Sequence, residues 1–208
     1  MSAAAFVLAI NLFITAIFAT AFSVVAVYAR SVVGARWLAL AYGLSSLYLY
    51  APVSALYLQS RGLNLMQINS IWSVIVATLF VSEIPTGLLA DRIGHKWAVV
   101  LALALQTLGE VIYLFAESYP LFVVCAVVGG VGFAFGSGCV ESLVTAELRQ
   151  EGRPEEMSKA LGGIQAAQRL ANLIAFSLGG LIVAELTPAR FRLAIGLTAA
   201  SVALGCLV

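Results

Sequence analysis

The sequence predicts an all-α fold, a polytopic transmembrane helix bundle with about seven spans. Of its 208 residues, 62% are hydrophobic and only 10% are charged, whereas about 25% of the residues in a soluble domain are charged. The apolar residues gather in runs of the length that a helix needs to cross a bilayer, about 20 residues. Short segments that contain most of the Lys and Arg residues separate these runs. These features exclude both an ordinary soluble enzyme and a disordered chain.

The first two runs contain no charged residue. Met1–Ala29 has no basic segment before it and is too long for the apolar part of a signal peptide, so we interpret it as a span. A basic loop, Arg30–Arg36, leads to the second span, residues 37–60, which contains Pro52. Five further spans follow, at residues 62–90, 97–116, 118–147, 158–184 and 193–208. The last run continues to Val208 without a charged residue, and we interpret the chain as truncated.

The basic residues of the loops predict the orientation in the membrane. Alternate loops form two sets, one with seven Lys and Arg residues and one with three. Because cytoplasmic loops carry the excess of basic residues, we expect the set with Arg92, Lys96, Arg149 and Lys159 in the cytoplasm. The N-terminus then faces outside, and we expect the protein in a bacterial inner membrane.

Charge and cysteine content exclude further classes of function. A net charge of +1 provides no basic surface for nucleic acid. The three cysteines lie within apolar runs and form neither a metal-binding pattern nor a disulfide framework. The sequence contains no nucleotide-binding loop and no catalytic pair. We therefore predict a protein that is not an enzyme and uses no metal or cofactor, with the lipid bilayer and a small-molecule solute as its partners.

A short motif between the third and fourth spans carries the most specific signal. Residues 87–96 read G-L-L-A-D-R-I-G-H-K. They resemble motif A of the major facilitator superfamily, G-x-L-A-D-R-x-G-R-K, with His95 at the position of its second arginine. Upstream, residues 83–86 read E-I-P-T and extend the likeness to one branch of that superfamily. The motif also lies where the family requires it, between the second and third helices of a six-helix bundle.

The resemblance implies the N-terminal six-helix half of a secondary active transporter, which moves a small organic solute by alternating access, with efflux as one direction. It divides the chain into an extra N-terminal helix with its basic loop, residues 1–36, and a helix bundle, residues 37–208. It also implies pairing with a second six-helix half or with another copy of the chain. The alternatives are a membrane-anchoring or sensory module and an inactive transporter fragment.

In the family, the motif A loop holds one conformation of the transporter by bridging to the second half. The resemblance therefore assigns a gating role to the motif residues Gly87, Asp91, Arg92, Gly94 and Lys96. We expect Gly87 to allow close approach of a neighbouring helix and Gly94 to form a tight turn.

Polar residues inside the sixth span indicate a functional face. Gln165, Arg169 and Asn172 share one side of the predicted helix. The opposite side carries small residues at four-residue spacing, a pattern typical of close helix packing in membranes, and these are Gly163, Ala167, Ala171, Ala175 and Gly179. Because an arginine at membrane depth is costly, Arg169 requires a polar partner or a water-filled cavity.

Two carboxyl groups compete as the partner of Arg169. Glu141, in the helix just before it, is the first candidate, because those two helices form a hairpin through a short loop. Glu110 is the second candidate, and either carboxyl could be protonated rather than paired. In the second span, an aromatic and hydroxyl face that includes Tyr50 suits either a cavity for an amphipathic organic solute or packing inside the bundle. The candidate substrate or coupling residues are Arg169, Glu141, Glu110, Gln165, Asn172 and Tyr50.

Overall fold

A computed structural model of the chain describes residues 33–207, with side chains from residue 38 to residue 205. The predicted span Met1–Ala29 lies outside the described residues. Within them the fold is entirely helical, which confirms the predicted all-α helix bundle. The helices are α1 (Val33–Ser45), α2 (Ser54–Ser60), α3 (Leu65–Ile93), α4 (His95–Phe115), α5 (Tyr119–Gln150), α6 (Met157–Ile182) and α7 (Pro188–Leu207).

Three of the described helices, α3, α4 and α5, are long and apolar enough to cross a membrane. Helix α3 exposes a continuous apolar face, with Val76, Phe80 and Ile84 each at least 66% exposed. Such a face is unfavourable in water, but it is the surface that a lipid-embedded helix presents.

The helices do not pack in the order in which they follow one another. Helix α5 packs against α3 and α4, while α6 packs mainly against α1, and α7 lies against both α1 and α4. The consecutive helices α5 and α6 share few contacts. Two buried apolar clusters result, one around Tyr57 and Phe122 and the other around Leu103 and Leu148.

Ion pairs connect three loops at one end of the bundle. The carboxylate of Glu117, between α4 and α5, lies 3.7 Å from Arg61, just before α3, and 3.9 Å from Arg192 at the start of α7. Each long helix carries the chain from one end of the bundle to the other. The motif A turn and the loop between α5 and α6 therefore lie at the opposite end.

The second predicted span is not one helix. Helix α1 ends at Ser45, residues 46–50 form turns, Ala51–Val53 is a 3₁₀ turn, and α2 begins at Ser54. Pro52 contributes to the interruption, since it lacks a backbone N–H. At the end of α1, the hydroxyls of Ser45 and Ser46 both donate to the carbonyl of Tyr42, at 3.0 and 2.7 Å. We call residues 46–53 the break.

Neighbouring helices accommodate the break. The backbone N–H of Leu49 donates to the hydroxyl of Thr198 on α7 at 3.0 Å, and Thr198 is fully buried. On the other side, Gly179 of α6 lies directly against the carbonyl of Leu49, where any side chain would collide with that oxygen. Gly179 belongs to the predicted small-residue stripe, and another member, Ala167, packs against Gly43 of α1. The stripe thus lets α6 approach α1 and the break closely.

Candidate functional site

A cavity of about 420 Å³ lies between the break and helices α3 to α6. Seven of its twenty lining residues are aromatic, among them Tyr48, Tyr50 and Trp72. Its two charged lining residues are Glu110 of α4 and Arg169 of α6. A cavity of this size, with mostly apolar walls and a few polar groups, is typical of sites for small organic molecules.

Glu110 is the one acidic residue of the cavity's described lining, and it is buried, with 8% of its surface exposed. One carboxyl oxygen, Oε1, accepts a hydrogen bond from the hydroxyl of Tyr50 at 3.0 Å. The other oxygen, Oε2, is buried and has no hydrogen-bond partner among the described residues. Leaving a buried polar atom without a partner costs free energy. Oε2 can form one further hydrogen bond, as acceptor or as donor, with a group inside the cavity.

Aromatic packing fixes Tyr50 beside Glu110. The ring of Tyr50 stacks on Tyr113, with the ring centres 4.9 Å apart, and meets the edge of Tyr48 at 6.4 Å. Tyr113 lies one helical turn after Glu110 on α4, so its ring and the carboxyl share one face. The aromatic contacts continue through Tyr57, whose ring lies 5.3 Å from Phe191 of α7. The hydroxyl of Tyr50 is therefore held by packing rather than by the hydrogen bond alone.

Three polar side chains complete the cavity wall. Arg169 and Asn172 line it from α6, and Gln106 lines it from α4, one turn before Glu110. Arg169 is exposed and forms no ion pair or hydrogen bond within the described part of the chain. The cavity thus presents a carboxyl group, a guanidinium group and two amides to the same space.

A second cavity, of about 340 Å³, shares Tyr48, Gln106 and Phe133 with the first. Its other lining residues are mostly hydroxyl or amide side chains, and they include Gln165 and Glu141. The predicted polar face of α6 is therefore divided: Gln165 lines the second cavity, whereas Arg169 and Asn172 line the first.

The expected ion pair between Arg169 and Glu141 is absent from the structure. The expectation assumed that α5 and α6 pack together as a hairpin. They share few contacts because α6 packs mainly against α1, which directs Arg169 and Glu141 to different cavities. Arg169 shares its cavity with Glu110, although those two residues form no ion pair either.

The motif A turn consists of a single residue between two helices. Helix α3 ends at Ile93 and α4 begins at His95, and Gly94 between them has a φ of 90°. Only glycine adopts this left-handed backbone without strain, so the tight turn expected at this position is confirmed. Asp91, Arg92 and Lys96 are exposed around the turn and form no ion pair with any described residue.

No described helix makes the close approach that was expected at Gly87. A side chain at Gly87 would meet no atom within 4 Å, so no described helix approaches it closely. It lines a small cleft of about 160 Å³, together with Glu83, Asp91 and His95, against the middle of α5. The Nδ1 atom of His95 is buried there and has no hydrogen-bond partner in the described residues.

The sequence analysis missed Gln106 as a residue of the candidate site. Gln106 is 6% exposed and borders both cavities. Its spacing could have predicted this position. Gln106 precedes Glu110 by four residues and Tyr113 follows Glu110 by three, so all three side chains share one helix face. Tyr48 could not be found in this way, since it lies in the break, where helical spacing does not apply.

Comparisons with known proteins identify a family. The sequence pattern of the Major Facilitator Superfamily matches residues 4–208. Multidrug resistance protein 2 of Bacillus subtilis is 31% identical over 118 residues, which cover 55% of this chain and 28% of that protein. An uncharacterized MFS-type transporter of the same organism, YxaM, is 22% identical over 111 residues, which cover 53% of this chain and 28% of that protein. The aligned region thus spans less than a third of either relative.

The hydrogen bond between Tyr50 and Glu110 makes a first testable prediction. We expect Tyr50→Phe to lower the free energy of unfolding by about 0.5–2 kcal/mol, because Glu110 loses the one hydrogen-bond partner that it has among the described residues. Tyr57→Phe is the matched control, since the Tyr57 hydroxyl is buried without a partner among the described residues and its ring also packs against Tyr113. Unfolding titrations in mixed micelles measure both variants. Equal losses in the two variants would contradict a stabilising role for this hydrogen bond.

Proposed function

The chain belongs to the major facilitator superfamily, and we propose that it forms the solute-binding N-terminal half of a secondary active transporter. Such a transporter moves its solute by alternating access, in which two helix bundles rock about a central site. The observation that carries the proposal is the cavity of about 420 Å³ around Glu110, bordered by the break and by Arg169. The second bundle would come from a longer chain or from another copy of this one.

The lining of the cavity supports a small amphipathic organic molecule as the solute. Its aromatic side chains provide apolar contact area, and its few polar groups can orient a bound molecule. One relative is named Multidrug resistance protein 2, and on that likeness we include efflux as the proposed direction. A purely structural, anchoring or sensory role would not need a cavity with an unpartnered carboxyl oxygen.

We further propose that the motif A turn acts as a latch between the two bundles. Asp91, Arg92 and Lys96 surround a turn whose backbone is fixed by Gly94, and no described residue pairs with their charges. Charged groups on a rigid turn can pair with a second bundle in one conformation and release it in the other, which is the two-state behaviour that alternating access requires.

Filling the cavity tests the proposed function. Gly129 of α5 lines the cavity, and a Cβ atom added there meets no other atom within 4 Å. We expect Gly129→Phe to occupy the cavity and weaken binding of dansylamide, a neutral amphipathic fluorophore, by about tenfold or more. Fluorescence titration of the protein in lipid nanodiscs measures the affinity.

Gly180→Phe is the matched control for this experiment. Gly180 of α6 is exposed, its side-chain position is equally free, and it lines neither of the two larger cavities. Affinity for dansylamide should therefore stay at the level of the unmodified protein. If both variants bind dansylamide equally well, or if the unmodified chain binds no dansyl-labelled probe, the cavity is not the solute site.

We also propose that the motif A end of the bundle faces the cytoplasm, on the basis of the charge distribution. The motif A turn and the loop between α5 and α6 carry basic residues, whereas Glu117 pairs with two of the three basic residues at the opposite end. An excess of basic charge marks the cytoplasmic side.

Cysteine labelling in intact cells tests this orientation. With the native cysteines replaced by alanine, we expect a membrane-impermeant maleimide to label Ser118→Cys, in the loop between α4 and α5. Ser158→Cys, at the start of α6, should react only after the cells are opened. Both positions are exposed, so their reactivity reports the side of the membrane. The reverse labelling pattern would overturn the orientation.

A further inference from the structure

The cavity around Glu110 contains two groups of opposite charge type that are not paired with each other. Glu110 and Arg169 both line it, yet they form no ion pair in the described structure. The Oε2 atom of Glu110 is buried without a partner, and the guanidinium group of Arg169 has no hydrogen bond or ion pair among the described residues. Both groups thus retain unused hydrogen-bonding capacity, and both residues line the same cavity.

Ionisable groups without partners inside a membrane protein are costly, and they commonly mark the path of a substrate. A solute that supplies both missing partners removes this cost at two places at once. The guanidinium group of Arg169 has five N–H donors in a planar arrangement that matches a carboxylate in two parallel hydrogen bonds. The Oε2 atom of Glu110 is matched by the N–H of a protonated amine, for which the stacked rings of Tyr50 and Tyr113 provide a further favourable surface.

We infer that the cavity binds an amphoteric aromatic solute, with a basic nitrogen at Glu110, an acidic group at Arg169 and an apolar body against the aromatic wall. This inference rests on the proposed function and specifies the class of its solute. The volume of about 420 Å³ admits a molecule with one or two rings and a short polar end.

Solutes with a single charge fit the cavity less well. A simple organic cation would satisfy Glu110, but it would face the positive charge of Arg169 across the same space. A simple organic anion would satisfy Arg169, but it would bring a second acidic group close to Glu110. Like charges repel strongly where water is scarce. Each singly charged solute therefore loses binding free energy at one of these two residues and gains it at the other.

A series of fluorescent probes that differ by one charged group tests the inference. Nε-dansyl-lysine carries an amine and a carboxylate, dansylcadaverine lacks the carboxylate, and Nε-dansyl-6-aminohexanoate lacks the amine. We expect the amphoteric probe to bind about tenfold more tightly than either singly charged probe, since one charge-assisted hydrogen bond is lost in each case. The readout is dansyl fluorescence of the protein in lipid nanodiscs.

Two substitutions assign each charged end of the probe to its residue. Arg169→Gln should remove the preference for dansyl-lysine over dansylcadaverine and keep the preference over the aminohexanoate probe. Glu110→Gln should keep the preference over dansylcadaverine and remove the preference over the aminohexanoate probe. Glu141→Gln is the control, because Glu141 lines the other cavity, and it should leave both preferences unchanged.

The outcomes separate this inference from the proposed function. If a singly charged probe binds as tightly as dansyl-lysine, or if the two substitutions do not change the preferences as described, the inference is overturned. Binding of neutral dansylamide that is lost in Gly129→Phe, without any preference among the charged probes, would retain the solute site and overturn only the amphoteric class. If no dansyl probe binds, both proposals fail.

Discussion

The candidate site depends on an interruption of the membrane helix at residues 46–53. Buried backbone N–H and C=O groups have no water to bond with, so an irregular buried segment is tolerated only where the protein itself satisfies those groups. Here the hydroxyl of Thr198 accepts the N–H of Leu49, and Gly179 leaves room for the Leu49 carbonyl. Both neighbouring residues thus contact the backbone of the break rather than its side chains.

The break determines which side chains reach the interior of the bundle. In a continuous helix, Tyr48 and Tyr50 would point in directions about 200° apart. In the structure both line the same cavity, and Tyr50 reaches the carboxyl of Glu110. The close packing of α6 against α1 and the break has a second consequence: α6 shares few contacts with α5, and Arg169 lines the cavity of Glu110 rather than that of Glu141.

Much of the fold was predictable from the sequence. The apolar runs at residues 62–90, 97–116 and 118–147 correspond to α3, α4 and α5, which are long and apolar enough to cross a membrane. The turn at Gly94 follows from its motif, and the close packing of Gly179 follows from the four-residue spacing of small residues. These features depend on local sequence, so a pattern within one helix is enough to predict them.

The features that the sequence analysis did not predict depend on contacts between distant segments. The break was not predicted, although the second span contains Pro52, and it is held in part by Thr198, which is 149 residues from Leu49. The partner expected for Arg169 was wrong because consecutive membrane helices need not be the most closely packed ones. Gly87 looked like a packing residue in isolation, yet it faces a cleft that no described helix fills closely.

The exchange rate of the Leu49 backbone amide, measured by hydrogen–deuterium exchange, tests this account most directly. Thr198→Val keeps the shape of the side chain but removes the α7 oxygen that accepts the Leu49 N–H, which leaves the Leu47 carbonyl, at 3.0 Å, as its acceptor. Thr198→Ser keeps the α7 oxygen. The account predicts that exchange across residues 46–53 becomes about tenfold faster in Thr198→Val and remains near its original rate in Thr198→Ser. Unchanged exchange in Thr198→Val would contradict the claim that α7 holds the break in place.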